Sequence, residues 1–394
     1  MVGTQRGAHA GGMDENLAAL ITLVLAGGPP APRHALVRHP RGGAAALAAG
    51  LPLWTQAGCT PAQLTALAQP EPAAFTRAWH WLQQPGHALL HLDDPRLPQS
   101  LRELPDPPFA LFVDGDPAAL WKPSIAVVGS RSPTPSGRAL ASEFSLAFAR
   151  HGLAVVSGLA AGIDAAAHRA VLGCGGDTLA VIGTGPDRAY PDHHVALQAE
   201  VAACGAVVSE YPPGTPARAG QFPARNRLVA GLALLTLVVE AAWRSGALIT
   251  ARLAAEAGRE VCAIPGSVRN PRARGCHRLI REGAALVETP EEVLALVAPS
   301  LSRALPGLKS ALEVPIQELP AATLPPAMAT DADYQRLWNA LDHDPIPMDS
   351  LIMRCGLTAS GLSSMLLAME LAGIVVCEHG RYCRNPGFPT STAS

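Results

Sequence analysis

From residue 124 to residue 264 the chain repeats one rhythm. A short, nearly unbroken apolar run gives way to a Gly, Ser or Thr break, and an Ala-rich stretch with helical spacing follows. The runs are 125–128, 153–156, 179–182, 206–208, 235–239 and 261–264. Runs that are apolar at successive positions, and not only at every second one, suit strands covered on both faces, with the intervening helices as the cover. The pattern predicts an α/β fold, a doubly wound, mostly parallel Rossmann-like domain. Its ligands should bind beyond the carboxyl ends of the strands.

The flanks read differently. Residues 14–86 break into short helices punctuated by Pro and Gly, with Trp54, Phe75, Trp79 and Trp81 as core anchors, a small helical (SAM-like) domain. Residues 87–116, with Asp94-Pro95-Arg96-Leu97-Pro98 and Asp106-Pro107-Pro108-Phe109, read as a Pro-punctuated bridge at the start of a Rossmann-like unit spanning 87–298. Pro- and Ala-rich 299–330 reads as a linker. In 331–386 a helix near 334–341, a short helix near 349–354, a turn at Cys355-Gly356, a longer helix over 359–371 and a hairpin about His379-Gly380 make a winged-helix plan. Residues 1–13 and 387–394 read as a disordered extension and tail.

Composition narrows the function. A chain of 394 residues suggests two or three domains. The net charge of -2 means that any polyanion must be held by a local patch. Such a patch is visible: from Tyr211 through Val239 there is no Asp or Glu, while Arg218, Arg225, Arg227 and Phe222 fall inside the window without a local counter-charge. Lys122 and Lys309 are the only lysines, so the patch is one of arginines, whose planar fork suits phosphate and stacks on bases. The eight cysteines form no C-x-x-C pair, which indicates neither a disulfide frame nor a zinc site. Asp14 and Glu15 precede the apolar stretch 17–26 where a signal peptide carries positive charge, and 228–239 is too short to span a bilayer. The protein reads as cytoplasmic, without a membrane partner, metal or cofactor.

The chemistry sits at the strand ends. The first strand runs into Gly129-Ser130-Arg131, where a helix N-terminus and an arginine fork would take a phosphate. The turn is not G-x-G-x-x-G and no Walker pattern occurs, so neither a dinucleotide nor ATP hydrolysis is supported. The second strand leads to Ser157-Gly158 and on to Asp164 and His168, which share a helix face. That spacing would suit acid–base work, but the preferred reading has Asp164 capping the helix and His168 packing. Further rim residues are Gly183 and Gly185, then Phe222 just before a helix that starts near Arg225 and Arg227, with Asn226 between them. Ser245-Gly246 follows, and finally Ser267 with a train of arginines that includes Arg278. Phe222 could stack on a base. No thiol, metal cluster or paired carboxylate is placed for bond-breaking, so the rim reads as a non-enzymatic grip on phosphates.

These motifs, Gly129-Ser130-Arg131, Ser157-Gly158-Leu159-Ala160 with Gly162-Ile163-Asp164 and His168, Gly183-Thr184-Gly185, Ser209-Glu210-Tyr211-Pro212, Phe222-Pro223 with Arg225-Asn226-Arg227, Ser245-Gly246 and Pro265-Gly266-Ser267, resemble those of the DNA-processing protein DprA (Smf) family, in family order. The resemblance implies sequence-independent binding of single-stranded DNA, a homodimer formed through the Rossmann-like domain, and loading of the RecA recombinase in natural transformation. It implies DNA contacts at Ser130, Arg131, Phe222, Arg225, Asn226, Ser245 and Gly246. The strand-end reading adds Gly129, Gly183, Gly185, Arg218, Arg227, Ser267 and Arg278. Two positions depart from the family pattern: Ala161, where a basic residue is frequent, and His277, where Asn is usual. The presumed recognition helix 359–371 carries no Lys or Arg, so sequence-specific duplex reading is not expected. The alternative is a nucleotide-processing enzyme of the nucleoside-monophosphate phosphoribohydrolase kind, although its Pro-Gly-Gly-x-Gly-Thr string is absent. Arg131→Ala and Arg225→Ala are each expected to weaken DNA binding with stability nearly unchanged.

Overall fold

The computed structural model of the chain describes residues 14–304, 324–342 and 344–385. The expected extension 1–13, the tail 387–394 and most of the expected linker lie outside them. The strands of the main sheet are β1 (His87–His91), β2 (Ala110–Gly115), β3 (Ser124–Val128), β4 (Ala154–Ser157), β5 (Thr178–Val181), β6 (Ala206–Ser209), β7 (Leu235–Val238), β8 (Glu260–Ala263) and β9 (Ala285–Leu286), in the order β1-β2-β6-β5-β4-β3-β7-β8-β9.

All pairings from β6 to β9 are parallel. Strand β3 lies between β4 and β7, with Ala126 opposite both Val156 and Thr236, and the chain winds outward from there in both directions. Side chains alternate between faces along a strand, so Ile125 and Val127 join Phe144, Phe148, Ile163 and Val293 on one side, while Ala126 and Val128 join Leu228, Val229, Ala247 and Ala251 on the other. Both faces are thus covered, and the crevice lies where the winding reverses, at the carboxyl ends of β3 and β7.

The expected bridge carries two strands. β1 and β2 pair antiparallel, Leu89 opposite Phe112, and β2 pairs antiparallel to β6, Val113 opposite Val208. The prolines that suggested a bridge all fall in the connection around the short helix Gln99–Arg102, outside the strands themselves. Residues 110–113 are buried throughout, which removes the alternation that would have exposed a strand.

The helices Glu15–Ala26, Pro30–Val37, Gly42–Ala48, Leu51–Gln56, Pro61–Ala68 and Pro72–Leu82 form the N-terminal unit. Asp14 caps the first by accepting from the Asn16 and Leu17 amides, and Thr60 with Gln63 forms a capping box on the fifth. Trp54 and Trp81 are buried anchors, with Phe75 and Trp79 packed at the margin. They share one core with Leu89, Phe109, Ala110 and Phe112 of the sheet edge.

The helix Pro290–Ala304 continues through Pro299, six residues past the expected boundary at 298. The C-terminal unit follows the expected plan. Its helices are Ala332–Ala340, Met348–Cys355 and Ala359–Leu371, with Gly356 in the left-handed region at φ +66 between the last two. Strands β10 (Ile346–Pro347), β11 (Val375–Glu378) and β12 (Arg381–Arg384) pair in the order β10-β12-β11 around a separate core that includes Leu337, Leu351, Leu362 and Leu366. This is a winged helix. No single helix among the described residues is long and apolar enough to cross a membrane.

Candidate nucleic-acid interface

A cleft of about 820 Å³ opens at the carboxyl ends of β3, β4 and β7. Its first wall is the turn after β3. The Ser130 amide donates to the Glu240 carbonyl at 2.6 Å, and Ser130 Oγ accepts from the Ser132 amide at 3.1 Å. The Glu240 carboxylate then accepts from the Thr134 amide and hydroxyl at 2.9 and 3.0 Å and from Asn270 Nδ2 at 3.3 Å. This buried carboxylate therefore clamps three loops to one another and leaves Arg131 at the tip, exposed. The second wall is the turn Arg244-Ser245-Gly246, where Ser245 Oγ accepts from the Ala247 amide at the start of the helix Ala247–Glu256.

Among the described residues, five arginines, Arg131, Arg218, Arg225, Arg244 and Arg272, line the cleft, against Asp164 as the one acidic lining residue. Arg131, Arg218, Arg244 and Arg272 are exposed, and among the described residues none of the four has a carboxylate within ion-pair distance. Uncompensated guanidinium groups around a concave wall focus a positive potential. Phe222 is half-buried in the same wall. Its ring lies 4.9 Å from that of Tyr190, and the Arg131 guanidinium stands 5.7 Å from its centroid. Gly183 supports it from behind, where a Cβ would approach Phe222 Cδ1 to 3.1 Å.

The helix begins at Gln221, ahead of the expected start, so Phe222 belongs to its first turn. Pro223 is tolerated there because first-turn N–H groups have no intrahelical partner to lose.

Arg225 departs most from expectation. It is only 5% exposed, and it donates to the Val181 carbonyl under the strand ends. Its guanidinium occupies the space over Gly158 so closely that a Cβ there would overlap it. Burial lowers its pKa to about 10, and Asp164 opposes that drop. Burial also pushes the Asp164 carboxyl up, against the pull of Arg225 and of the Ala160 and Gly158 amides. Asp164 Oδ2 accepts from Gly158 N at 3.1 Å and Ala160 N at 3.4 Å, so it ties down the preceding loop, and Gly162, not Asp164, occupies the N-cap of Ile163–Gly173. His168 is fully buried beside Thr178, Nδ1 to Oγ1 2.7 Å, and burial depresses its pKa to about 3. His168 is packed as expected, whereas Asp164 holds the loop before the helix and does not cap it.

Comparison with known proteins agrees with this fold. Residues 88–298 match the DNA recombination-mediator protein A family, and residues 320–381 match the DprA winged helix domain. The chain belongs to the DprA family. It is 39% identical to protein Smf of Escherichia coli over 305 residues, 77% of this chain and 79% of that one. It is 48% identical to DNA processing protein DprA of Streptococcus pneumoniae over 198 residues, 50% of this chain and 70% of that one. The crystallographic structure of the Streptococcus pneumoniae DprA superposes with a TM-score of 0.62 at 36% identity, covering 71% of this chain and 96% of that one.

Of the residues the sequence pointed to, the fold brings Gly129, Ser130, Arg131, Arg218, Phe222, Arg225, Asn226, Ser245 and Gly246 to the cleft. Five lie elsewhere. Arg227 is not without counter-charge: Glu210 accepts two bonds from it, at 2.5 and 2.7 Å, and Asp106 lies 3.1 Å away. Glu210 stands one residue outside the acid-free window, and Asp106 reaches it only through the fold. Gly183 lies behind Phe222, as above. Gly185 is buried, its amide donating to the Thr215 carbonyl at 3.0 Å. Ser267 lies outside the cleft and accepts from the Arg269 amide. Arg278 pairs with Glu282 at 2.8 Å and lies over Trp243. Arg244, Arg272 and Tyr190 are cleft residues absent from the sequence-derived set. The adjacency of Arg244 to Ser245-Gly246 was the available signal.

Proposed function

We propose that this DprA-family chain is a sequence-independent single-stranded DNA-binding mediator that acts as a homodimer and hands incoming DNA to the RecA recombinase in natural transformation. The observation that carries the reading is the cleft itself: four exposed, unpaired arginines around a half-buried Phe222. Arginines meet phosphates and an aromatic ring meets a base face, and neither contact reads base identity, so sequence tolerance follows. The mediator step draws support from the matched family's own description as a recombination mediator. Asp164, which lines the cleft, is engaged by the Gly158 and Ala160 amides, and Glu240, which holds the first wall, by Thr134 and Asn270, which favours binding over catalysis.

Anisotropy titrations with single- and double-stranded oligonucleotides of equal length test the reading. Parent protein should prefer the single strand whatever its sequence, and Arg131→Ala should weaken that binding at least tenfold. Preference for duplex, or an unchanged Arg131→Ala, overturns it. Release of free base from nucleoside monophosphates would move the protein to the enzyme class.

A further inference from the structure

A second cleft, of about 710 Å³, lies across the Arg244–Ser245 turn from the first and shares Arg244, Ser245 and Ile249 with it. Trp243 stands in its wall, 52% exposed. The Arg278 guanidinium lies over the indole at 5.3 Å from the centroid and is itself held by Glu282 at 2.8 Å. Arg259 also lines this cleft, and Arg244, on the wall common to both, has no carboxylate within ion-pair distance among the described residues.

We propose that Trp243 is a second nucleobase-stacking platform, so that a single strand gripped at Phe222 continues over Arg244 and lays a further base on the indole. The proposal rests on the single-strand reading of the first cleft. A large aromatic ring left half in water beside an unpaired arginine is the pairing that single-strand grooves use, phosphate on the cation and base on the ring. Arg278, fixed by Glu282, backs the indole and holds it in place. This gives a role in the strand's path to an arginine that the first cleft does not include.

The test uses oligothymidylates of about 4 and about 12 nucleotides, within the range of single-strand site sizes for such grooves. Trp243→Ala should lose about tenfold in affinity for the longer oligomer and nothing for the shorter, with the salt slope unchanged because no charge is removed. Trp243→Phe should retain most of the affinity, and the longer oligomer should quench tryptophan fluorescence in parent more than in Trp243→Phe. Equal loss on both lengths, or no loss on either, overturns the proposal. A shift in oligomeric state with DNA affinity intact also overturns it and assigns Trp243 to a protein interface. If the parent binds neither oligomer, the reading of the first cleft fails instead, so the two failures are separable.

Discussion

Truncating Arg131 removes an exposed side chain set over the Phe222 ring, whereas truncating Arg225 empties a space enclosed by Gly158, Val181 and Asp164. The two variants should therefore fail in different ways. Arg131→Ala should melt within about 0.5 kcal/mol of parent, as exposed substitutions do. Arg225→Ala leaves the Asp164 carboxyl buried without its cation and should cost on the order of 3 kcal/mol in urea unfolding, which replaces the expectation of nearly unchanged stability. Loss of DNA binding by Arg225→Ala would then report the cleft floor as much as a contact. His168 gives a pH signature. Its folded pKa of about 3 lies below the ordinary 6.5, so the unfolded chain binds the proton more readily across that interval. Its contribution is present above pH 6.5 and is lost as pH falls towards 3, at up to about 1.4 kcal/mol per unit. Asp164, with its pKa raised, works in the opposite sense, so the comparison must isolate the histidine. The fall in Tm from about pH 7 to about pH 5 should be smaller in His168→Gln than in parent.

At the scale of elements, what could be read from the chain depended on how strongly a segment's own residues determine it. The six inner strands were legible because a two-sided burial leaves an apolar run, and the helix Ala359–Leu371 because Thr358 caps its start and Gly373 follows its end. β1 and β2 were hidden by the prolines between them. The start at Gln221 was hidden because Pro223 reads as a break although the first turn accepts it. Charge pairing was the least legible property: Glu210 and Asp106 reach Arg227 only because the loop after β6 and the segment before β2 converge. The same convergence of loops places one glycine under a double demand. Gly162 has φ +87, and a Cβ there would overlap the Ser130 carbonyl, the acceptor of the Ile163 amide at 3.1 Å. Gly162→Ala should therefore lower both Tm and single-strand affinity, because the turn bearing Arg131 is displaced. A variant with parent-like affinity would show that the turn tolerates the shift.

At the scale of the whole molecule, every residue of the cleft lies between Val128 and Arg272, ahead of the winged helix, which has its own core. A chain ending at Ala304 should keep its single-strand affinity, measured by the same anisotropy titration. The salt dependence should likewise belong to the first cleft, with a slope of about −3 if all four free arginines meet phosphates. The N-terminal helices are a different case, because Trp54 and Trp81 pack in one cluster with Leu89 and Phe112 of the sheet edge. Helices and sheet edge melt only by giving up the same contacts, which makes them a single cooperative unit. Heating the intact protein should therefore show one calorimetric transition for everything up to Ala304 and a separate one for the winged helix. The helical unit then behaves as a fixed shoulder of the Rossmann-like body, unable to swing as a tethered module.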